Sequence, residues 1–366
     1  MSKRSLSDAT TAHEPLRAST AADATSLADC ATLNGGLPSA TAAVLMPWVG
    51  FGTYKLGQSA AKAATLAALR CGYRAIDTAY IYAGEKCEPE VGKAIATALS
   101  EGTLRSREEL FVTTKHWRKF HGYDETLKCL NTSLQRLQLE HVDLWLMHWP
   151  GPAWSTMNRK KDEIAAHGPW FYAASGHGAD EIAALRAETW RAMEEALKAG
   201  KCRAIGVSNF TVAHLETLKR TATVWPPAVN QVEMHPLFAQ EELQAYCARE
   251  GIRLTAYASL GGQDGSKAKW EALGGRLLEA PPVLAAAAAH EGATPAQVLL
   301  RWALHKGATV IPKSQSAARM AENAALFGFA LTHAEVAAID ALAANAPASE
   351  GRLCWRNDPL RLLDFE

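Results

Sequence analysis

A group able to take part in proton transfer lies in the stretch GYRAIDTAYIYAGE, residues 72–85. Residues 73–76 resemble the end of a buried strand, where the carboxylate of Asp77 would cost several kcal/mol unless a cation pairs with it. Two phenols, those of Tyr80 and Tyr82, follow closely. A carboxylate, a cation and a phenol brought together can perform general acid-base chemistry. The rest of the chain must therefore supply the cation and the elements that bring it to Asp77.

Eight short apolar stretches recur from about residue 44 onward, and each has the length and composition of a buried parallel strand. They are WVGFGT (48–53), YRAID (73–77), LFVTTK (110–115), VDLWLMH (142–148), RAIGVS (203–208), AVNQVE (228–233), RLTAYA (253–258) and TVIPK (309–313). Helical patterns separate them, and several of these patterns end at a glycine, the usual stop residue. Thr294 and Thr332 each begin a further helix with a capping box.

Strand and helix alternate eight times over roughly 270 residues, which is the pattern of an α/β fold of the (β/α)8 TIM barrel type. A doubly wound open sheet is the alternative, but GFGTYKLG after the first strand does not match the G-x-G-x-x-G fingerprint of that fold. We expect the barrel to occupy residues 41–345, followed by a C-terminal tail, 346–366. Residues 1–40 are rich in Ala, Ser and Thr and are expected to form a disordered extension, with an organelle transit peptide as the alternative.

In a TIM barrel the chemistry is located at the carboxyl ends of the strands, because the loops that leave these ends build the site. The residues at these positions in the second to eighth stretches are polar, and they are Asp77, Lys115, His148, Ser208, Asn209, Gln231, Tyr257 and Lys313. Each alone has a structural explanation, since Asp or Ser after a strand usually caps a helix and a lone His is usually a hydrogen-bonded core residue. The same feature on seven strands favours a functional site.

Six segments of the chain, taken in order, closely resemble the aldo-keto reductases, which are NADPH-dependent oxidoreductases built on this barrel. The segments are GYRAIDTAYIYAGE, FVTTKHW, LWLMHWP, AIGVSNF, VNQVEMHP and VIPKSQSAARMAEN. The resemblance extends from residue 44 to about residue 345, and the six segments together are far more specific than any one of them. It implies a reductase of small-molecule aldehydes and ketones, of the alcohol dehydrogenase (NADP+) type.

The resemblance implies that Tyr82, five residues after Asp77, is the general acid, whereas Tyr80 is expected to pack. Reduction of a carbonyl requires a hydride at carbon and a proton at oxygen, and a free phenol with a pKa of about 10 is a weak acid. A nearby ammonium group in a poorly solvated pocket would lower that pKa. We therefore expect Lys115 to act on Tyr82 and to pair with Asp77. His148 is expected to hydrogen-bond the substrate oxygen and orient it.

The resemblance implies NADPH as the cofactor and assigns residues to each of its parts. The positions at the nicotinamide ring and its carboxamide are Ser208, Asn209, Gln231 and Tyr257. The positions near the 2′-phosphate and the adenine are Lys313, Ser314, Arg319, Glu322 and Asn323. The other cofactor positions are Gly52, Thr53, Tyr54, Asp77, Leu260, Gly262 and Asp264. Two cations and a hydroxyl near a helix start suit a phosphate and favour NADPH over NADH.

The substrate pocket implied by the resemblance has an aromatic wall suited to apolar carbonyl compounds. The positions expected to line it are Tyr54, Tyr82, Trp117, His148 and Trp149. The segment 150–189 is longer than the usual loop of the family at this place, and it is expected to be either a functional loop or a surface insertion. The tail 346–366 is expected to pack near the pocket. In the loop after the seventh strand, Gly262 stands where the family commonly has a serine.

Charge and composition limit the partners. Thirty-eight basic residues balance thirty-eight acidic ones, so no overall field favours nucleic acid or an anionic membrane. The longest apolar run, 280–289, is much shorter than the ~20 residues that span a bilayer. Seven scattered cysteines without a C-x-x-C pair argue against disulfides or a zinc site and favour the cytoplasm. We expect a metal-free monomer, with an oligomer left open. The alternative function is a catalytically weak NADPH-binding regulatory or structural subunit.

Overall fold

The computed structural model describes residues 17–34, 43–152, 179–262, 275–345 and 353–354. Its first three strands form a small sheet, and they are β1 (Arg17–Ala18), β2 (Asp29–Leu33) and β3 (Val44–Pro47). β1 pairs with β2 in parallel, and β2 pairs with β3 antiparallel. The chain therefore has ordered structure before the first predicted barrel strand.

The prediction that residues 1–40 are disordered is wrong for residues 17–34. Asp29 accepts hydrogen bonds from Arg17 Nε at 2.5 Å and from the backbone N–H of Thr25 at 2.6 Å. Its carboxylate is almost completely buried, and these bonds fix the turn that joins β1 to β2. Composition did not reveal this order, because it comes from an ion pair and from strand pairing rather than from an apolar run. The rest of the extension lies outside the described residues.

Eight parallel strands form the second sheet, and their positions confirm the eight predicted stretches. They are β4 (Phe51–Gly52), β5 (Ala75–Asp77), β6 (Phe111–His116), β7 (Val142–Met147), β8 (Cys202–Ser208), β9 (Val229–Glu233), β10 (Arg253–Tyr257) and β11 (Thr309–Val310). Each strand lies beside the next one in the chain. A parallel bridge between Val49, two residues before β4, and Val310 of β11 joins the two ends of the sheet. The sheet is thereby closed, and the (β/α)8 fold is confirmed.

Barrel closure requires a glycine in the first strand. A Cβ atom built on Gly52 would lie 2.5 Å from the carbonyl oxygen of Ile311. The Gly52 N–H donates to the Pro312 carbonyl at 3.2 Å, and the Gly50 N–H donates to the Val310 carbonyl at 2.8 Å. Only a residue without a side chain permits this close approach of two backbones. Gly52, predicted as a cofactor position, thus also has a structural role.

Helices follow the strands along the chain. They are α1 (Gln58–Arg70), α2 (Tyr82–Glu85), α3 (Cys87–Ser100), α4 (Tyr123–Leu137), α5 (Ala179–Lys198), α6 (Val212–Lys219), α7 (Glu241–Glu250), α8 (Pro281–Ala289), α9 (Pro295–His305), α10 (Ala317–Ala324) and α11 (His333–Asp340). The capping boxes predicted at Thr294 and Thr332 are both formed.

Part of the predicted loop 150–189 is helical. Helix α5 begins at Ala179, and its sequence ADEIAALRAETW has apolar residues at helical spacing, which outweighs the loop assignment. Residues 153–178, with the aromatic residues Trp154, Trp170, Phe171 and Tyr172, lie outside the described residues.

The small sheet β1-β2-β3 covers the amino-terminal end of the barrel. Leu33 and Met46, from this sheet, belong to one buried apolar cluster with Phe111 and Val229. The last two residues begin β6 and β9, so the cluster lies where the barrel strands start. The opposite end, where the strands finish, remains for the functional site.

All seven cysteines are free thiols. Within the ranges that the structure describes, no helix is both long enough and apolar enough to cross a bilayer. In the same ranges, no group of three or more His, Cys, Asp or Glu side chains is arranged to hold a metal ion.

Candidate active site

A buried ion pair lies where strands β5 and β6 end. Lys115 Nζ donates to Asp77 Oδ1 at 2.5 Å and to the carbonyl of Thr78 at 2.9 Å. Gln231 Nε2, from β9, donates to the other carboxylate oxygen at 2.7 Å. Lys115 is 0% exposed and Asp77 is 4% exposed, so the two charges depend on each other for stabilisation. Lys115 is therefore the cation that the carboxylate at the strand end required.

Tyr82 is held against this ion pair. Its hydroxyl oxygen accepts a hydrogen bond from Lys115 Nζ at 3.1 Å, and its ring is buried. The short helix α2 that begins at Tyr82 is irregular, because Ala83, Gly84 and Glu85 all have left-handed backbone angles. Such angles cost a non-glycine residue roughly 1–2 kcal/mol. The surrounding structure must therefore hold this turn in place.

Glu85 holds the turn through two ion pairs, although it was not among the residues predicted from sequence. Its carboxylate accepts hydrogen bonds from Lys119 Nζ and Arg136 Nη2, each at 2.7 Å. The Arg136 guanidinium also lies 4.2 Å from the ring centroid of Tyr80, which is buried. Tyr80 thus packs outside the Asp77 ion pair, in agreement with its predicted role.

Burial controls the protonation of the Tyr82 hydroxyl. Burial, reinforced by the negative charge of Asp77, raises the pKa of Tyr82 well above its usual value of 10.0. Lys115 does not reverse this effect, since its own pKa is lowered by burial and its charge is paired with Asp77. The predicted lowering of the Tyr82 pKa is therefore wrong, because the phenol faces an ion pair and not an isolated cation. Tyr82 keeps its proton throughout the neutral pH range.

His148 lies beside Tyr82 in a cluster of aromatic rings. The centroid of its imidazole is 5.9 Å from the ring of Tyr82 and 5.7 Å from that of Trp117. Burial, with a contribution from the positive charge of Lys115, lowers the pKa of His148 well below its usual value of 6.5. The imidazole is therefore neutral at physiological pH. A neutral ring can orient an oxygen through a hydrogen bond, but it carries no excess proton to give away.

The other residues predicted to line the substrate pocket differ in exposure. Tyr54 is 38% exposed, and its ring lies 5.2 Å from that of Tyr82. Trp117 is partly exposed. Trp149 is only 5% exposed and stacks on His148 at 6.3 Å, so it supports the histidine more than it lines an open surface.

A hydrogen-bond network joins the ion pair to the predicted nicotinamide side. The Ser208 hydroxyl donates to the carbonyl of Gln231 at 2.7 Å, and Asn209 Nδ2 donates to the carbonyl of His148 at 2.9 Å. The Tyr257 hydroxyl donates to Asn209 Oδ1 at 2.8 Å. Side-chain amide oxygens have two lone pairs each and can accept further N–H groups. The network therefore fits a nicotinamide carboxamide, with the partly exposed ring of Tyr257 beside it.

The residues predicted at the 2′-phosphate lie around the start of α10. Lys313 and Arg319 are exposed cations. Ser316, and not Ser314, is the N-cap residue, since its hydroxyl accepts the Arg319 N–H at 3.4 Å. The Ser314 hydroxyl accepts the Ser316 N–H at 3.1 Å. Two open cations beside a helix start fit an anionic group.

The remaining predicted cofactor positions have varied surroundings. Thr53 Oγ1 donates to the carbonyl of Asp77 at 2.9 Å, which ties the first barrel strand to the site. Glu322 accepts a hydrogen bond from Thr294 Oγ1 at 2.7 Å. The other positions are Asn323, which is buried, Leu260 and Gly262, which lie in the loop after β10, and Asp264, which is outside the described residues.

Two buried arginines that were not predicted hold the backbone just after His148. Arg118 Nε donates to the Gly151 carbonyl at 3.0 Å, and Arg186 Nε donates to the Pro150 carbonyl at 2.5 Å. Arginine is seldom buried to this degree unless its N–H groups are satisfied. Sequence offers little signal for them, because an isolated arginine in a polar segment is usually exposed.

A (β/α)8 barrel with Tyr82, Lys115 and Asp77 joined at its mouth is consistent with an oxidoreductase, and the chain belongs to the aldo/keto reductase family, whose family model matches residues 49–344. Glyoxal reductase of Bacillus subtilis (strain 168) is 39% identical over 319 residues, which are 87% of this chain and 94% of that protein. NAD(P)H-dependent D-xylose reductase of Scheffersomyces stipitis is 39% identical over 305 residues, 82% and 92% of the two chains. A crystal structure of a Bombyx mori aldo-keto reductase in complex with NADP matches with a TM-score of 0.70 at 32% identity, covering 87% of this chain and 94% of that one.

Proposed function

We propose that the protein reduces aldehydes and ketones to alcohols, with NADPH as the hydride donor. The observation that carries this proposal is the position of the Lys115 amine, 3.1 Å from the Tyr82 hydroxyl and 2.5 Å from Asp77. Reduction of a carbonyl requires a hydride at its carbon and a proton at its oxygen. Bound NADPH supplies the hydride, and side chains of the protein supply the proton.

Tyr82 is the proposed proton donor. Its phenol is protonated at neutral pH, so a proton is available for the substrate oxygen, but burial raises its pKa and makes it a weaker acid than free tyrosine, so transfer needs stabilisation of the phenolate. The Lys115 N–H that donates to the phenol oxygen stabilises the negative charge that develops there as the proton leaves. Asp77 keeps the amine charged and fixed in direction, and Gln231 in turn holds Asp77.

His148 has the role of orienting the substrate in this proposal. Its ring is neutral and lies beside the rings of Tyr82 and Trp117, and the residue is 8% exposed. A neutral imidazole carries one N–H group, which can donate a hydrogen bond to a substrate oxygen. A carbonyl oxygen held between the imidazole and the phenol would have its proton donor in place before the hydride arrives.

The proposed substrates are small carbonyl compounds with an apolar portion. Tyr54, Tyr82 and Trp117 supply aromatic surface at the mouth of the barrel. The relatives glyoxal reductase and D-xylose reductase support aldehydes as the first class of substrate to examine. The free thiols suit a reducing compartment, and we therefore propose the cytoplasm.

The function is tested by following NADPH absorbance with glyoxal, methylglyoxal, phenylglyoxal, D-xylose and an aryl ketone. We expect turnover with aldehydes and little loss of NADPH when no carbonyl compound is present. A direct titration of NADPH binding accompanies the assay. Tight binding of NADPH without turnover of any compound would contradict the proposal and favour the alternative of a regulatory or structural subunit.

Replacing Lys313 or Arg319 with alanine is expected to weaken the binding of NADPH more than that of NADH. Only NADPH carries a 2′-phosphate, and one hydrogen bond to a charged group contributes about 1.5–3 kcal/mol. The Kd for NADPH should therefore rise by roughly 10–100-fold. Fluorescence titration with both dinucleotides measures this, with Lys198→Ala, an exposed lysine at the end of α5, as the control. Equal losses for NADPH and NADH would refute the assignment.

The pH dependence of reduction distinguishes Tyr82 from His148 as the proton donor. The pKa of His148 lies well below 6.5 and that of Tyr82 well above 10.0, so neither group changes its charge between those two values. We expect kcat/KM for the aldehyde, at saturating NADPH, to stay level from pH 7 to 9. A donor imidazolium would instead give a rate that falls tenfold per pH unit above its pKa. Such a slope across neutral pH would contradict the assignment of Tyr82.

A further inference from the structure

The carboxyl-terminal tail is fastened to the barrel mouth through one buried carboxylate. Glu233 Oε1 accepts the backbone N–H of Leu353 at 2.5 Å and that of Cys354 at 2.8 Å. Glu233 is 1% exposed and Leu353 is 2% exposed. Since Glu233 is the last residue of β9, the tail is held at the carboxyl end of the barrel. This is the end that carries the candidate active site.

The position of Glu233 on its strand places the tail beside the proposed cofactor site. Residues two apart on a strand face the same side, about 6.6 Å from each other. Glu233 therefore shares its side of β9 with Gln231, whose amide donates to Asp77. In the sheet register, Glu233 lies opposite Tyr257 on β10. Both neighbours belong to the network proposed to hold the nicotinamide.

The tail also contacts the loop that follows β10. A Cβ atom built on Gly262 would lie 3.1 Å from Cys354 Sγ, and Gly262 has a left-handed φ of 61°. A side chain at position 262 would therefore press on the thiol, which would have to shift by a few tenths of an ångström. The left-handed φ and this close packing both favour glycine at position 262.

From these contacts we propose that Glu233 is a positioning residue for the cofactor loop. It fixes Leu353 and Cys354, and these residues support the loop 258–262 against the dinucleotide. The inference rests on the proposed NADPH site. Glu233 takes no part in hydride or proton transfer, so its loss acts on cofactor affinity. The effect is expected to be the same for NADPH and NADH, because Cys354 packs against Gly262 in the loop after β10.

Cysteine labelling tests the anchor without any need for catalysis. Cys71 and Cys354 are the two partly exposed thiols, and the other five cysteines are buried. Glu233→Ala removes the acceptor of both tail N–H groups. We expect alkylation of Cys354 by iodoacetamide, measured by mass spectrometry without cofactor, to accelerate by at least about tenfold relative to Cys71, since the loss of even one charge-assisted hydrogen bond corresponds to this factor. Glu233→Gln retains an acceptor oxygen and should remain close to the unsubstituted protein.

Titration with the two dinucleotides tests the link to the cofactor. We expect the Kd for NADPH and that for NADH to rise by the same factor in Glu233→Ala, about fivefold. Glu233→Asp withdraws the carboxylate by one methylene. It should raise the Cys354 labelling ratio and both Kd values, as the alanine variant does. It replaces the alanine variant if that variant fails to fold.

A matched control is available at the other end of the barrel. Glu194 is also a buried carboxylate, and its Oε1 accepts the backbone N–H groups of Thr223 at 2.6 Å and Val224 at 2.7 Å. These two residues lie in the loop before β9 begins. Glu194→Ala therefore removes the same kind of bond at the end of the barrel opposite to Leu353 and Cys354. We expect it to leave the labelling ratio and both Kd values unchanged.

Three outcomes would overturn the inference. An unchanged ratio of Cys354 to Cys71 labelling in Glu233→Ala would refute the claim that Glu233 anchors the tail. A raised labelling ratio with unchanged Kd values would refute the link between the anchor and the cofactor loop. Equal changes of the labelling ratio and the Kd values in Glu194→Ala would show that the effect is general destabilisation. Failure of the unsubstituted protein to bind NADPH would instead contradict the proposed function, while the labelling ratio would still decide the anchor.

Discussion

Replacement of Tyr82 with phenylalanine is expected to lower the turnover of aldehydes by about 10²–10⁴-fold, the usual contribution of a general acid. The ring, its packing and the Asp77–Lys115 pair are retained, and only the hydroxyl is lost. The affinity for NADPH should therefore remain nearly unchanged. Steady-state kinetics at saturating NADPH measure the first effect, and a binding titration measures the second.

Tyr80→Phe is the matched control for this experiment. It removes a hydroxyl from a buried tyrosine two residues away that packs on Arg136 and lies outside the ion-pair cluster. Turnover should stay within a few-fold of the unsubstituted protein. If the two variants lost activity equally, the proton donor would have to be sought elsewhere, and disturbance of the turn after Tyr82 would explain the loss.

Lys115→Met is expected to lower the free energy of unfolding by about 3–5 kcal/mol, because it leaves the buried carboxylate of Asp77 without its cation. Turnover should fall as well, since the phenol oxygen loses the N–H that stabilises its developing charge. Urea denaturation gives the stability, and the NADPH assay gives the activity. Lys219→Met breaks a pair with Glu250 in which the lysine is 41% exposed, and it should cost at most about 1 kcal/mol.

A double variant separates the structural part of this effect from the catalytic part. Lys115→Met combined with Asp77→Asn removes both charges, while the asparagine can still hydrogen-bond Gln231. Most of the lost stability should return, since a neutral pair carries no uncompensated buried charge. The lost turnover should not return. Recovery of activity together with stability would show that the ion pair serves the fold alone.

The sequence was sufficient to predict the barrel and the polar side chains that meet at its mouth. Parallel strands that are buried on both faces are nearly continuous apolar runs, so the eight strands could be recognised as short apolar stretches that alternate with helical patterns. Asp77 was informative because a charge at the end of such a run needs a partner. The polar residues at the other strand ends then followed from the rule that these ends meet at one face of the barrel.

Sequence was insufficient where contacts between distant parts of the chain decide the outcome. Glu233 and the tail are 120 residues apart, and no local pattern connects them. The order of residues 17–34 depends on the Arg17–Asp29 pair, which composition does not reveal. The direction of the Tyr82 pKa shift depends on the balance between burial and a cation that Asp77 already neutralises. Neither burial nor pairing can be weighed before the fold is known.

A crystal structure with NADP+ and a carbonyl ligand tests the central claim most directly. We expect the ligand oxygen to lie within hydrogen-bond distance of the Tyr82 hydroxyl and the His148 ring, with Lys115 still bonded to Tyr82 and the nicotinamide against Tyr257. A ligand oxygen held by other groups, or a nicotinamide bound away from the end of β10, would contradict the assignment of Tyr82 as the proton donor.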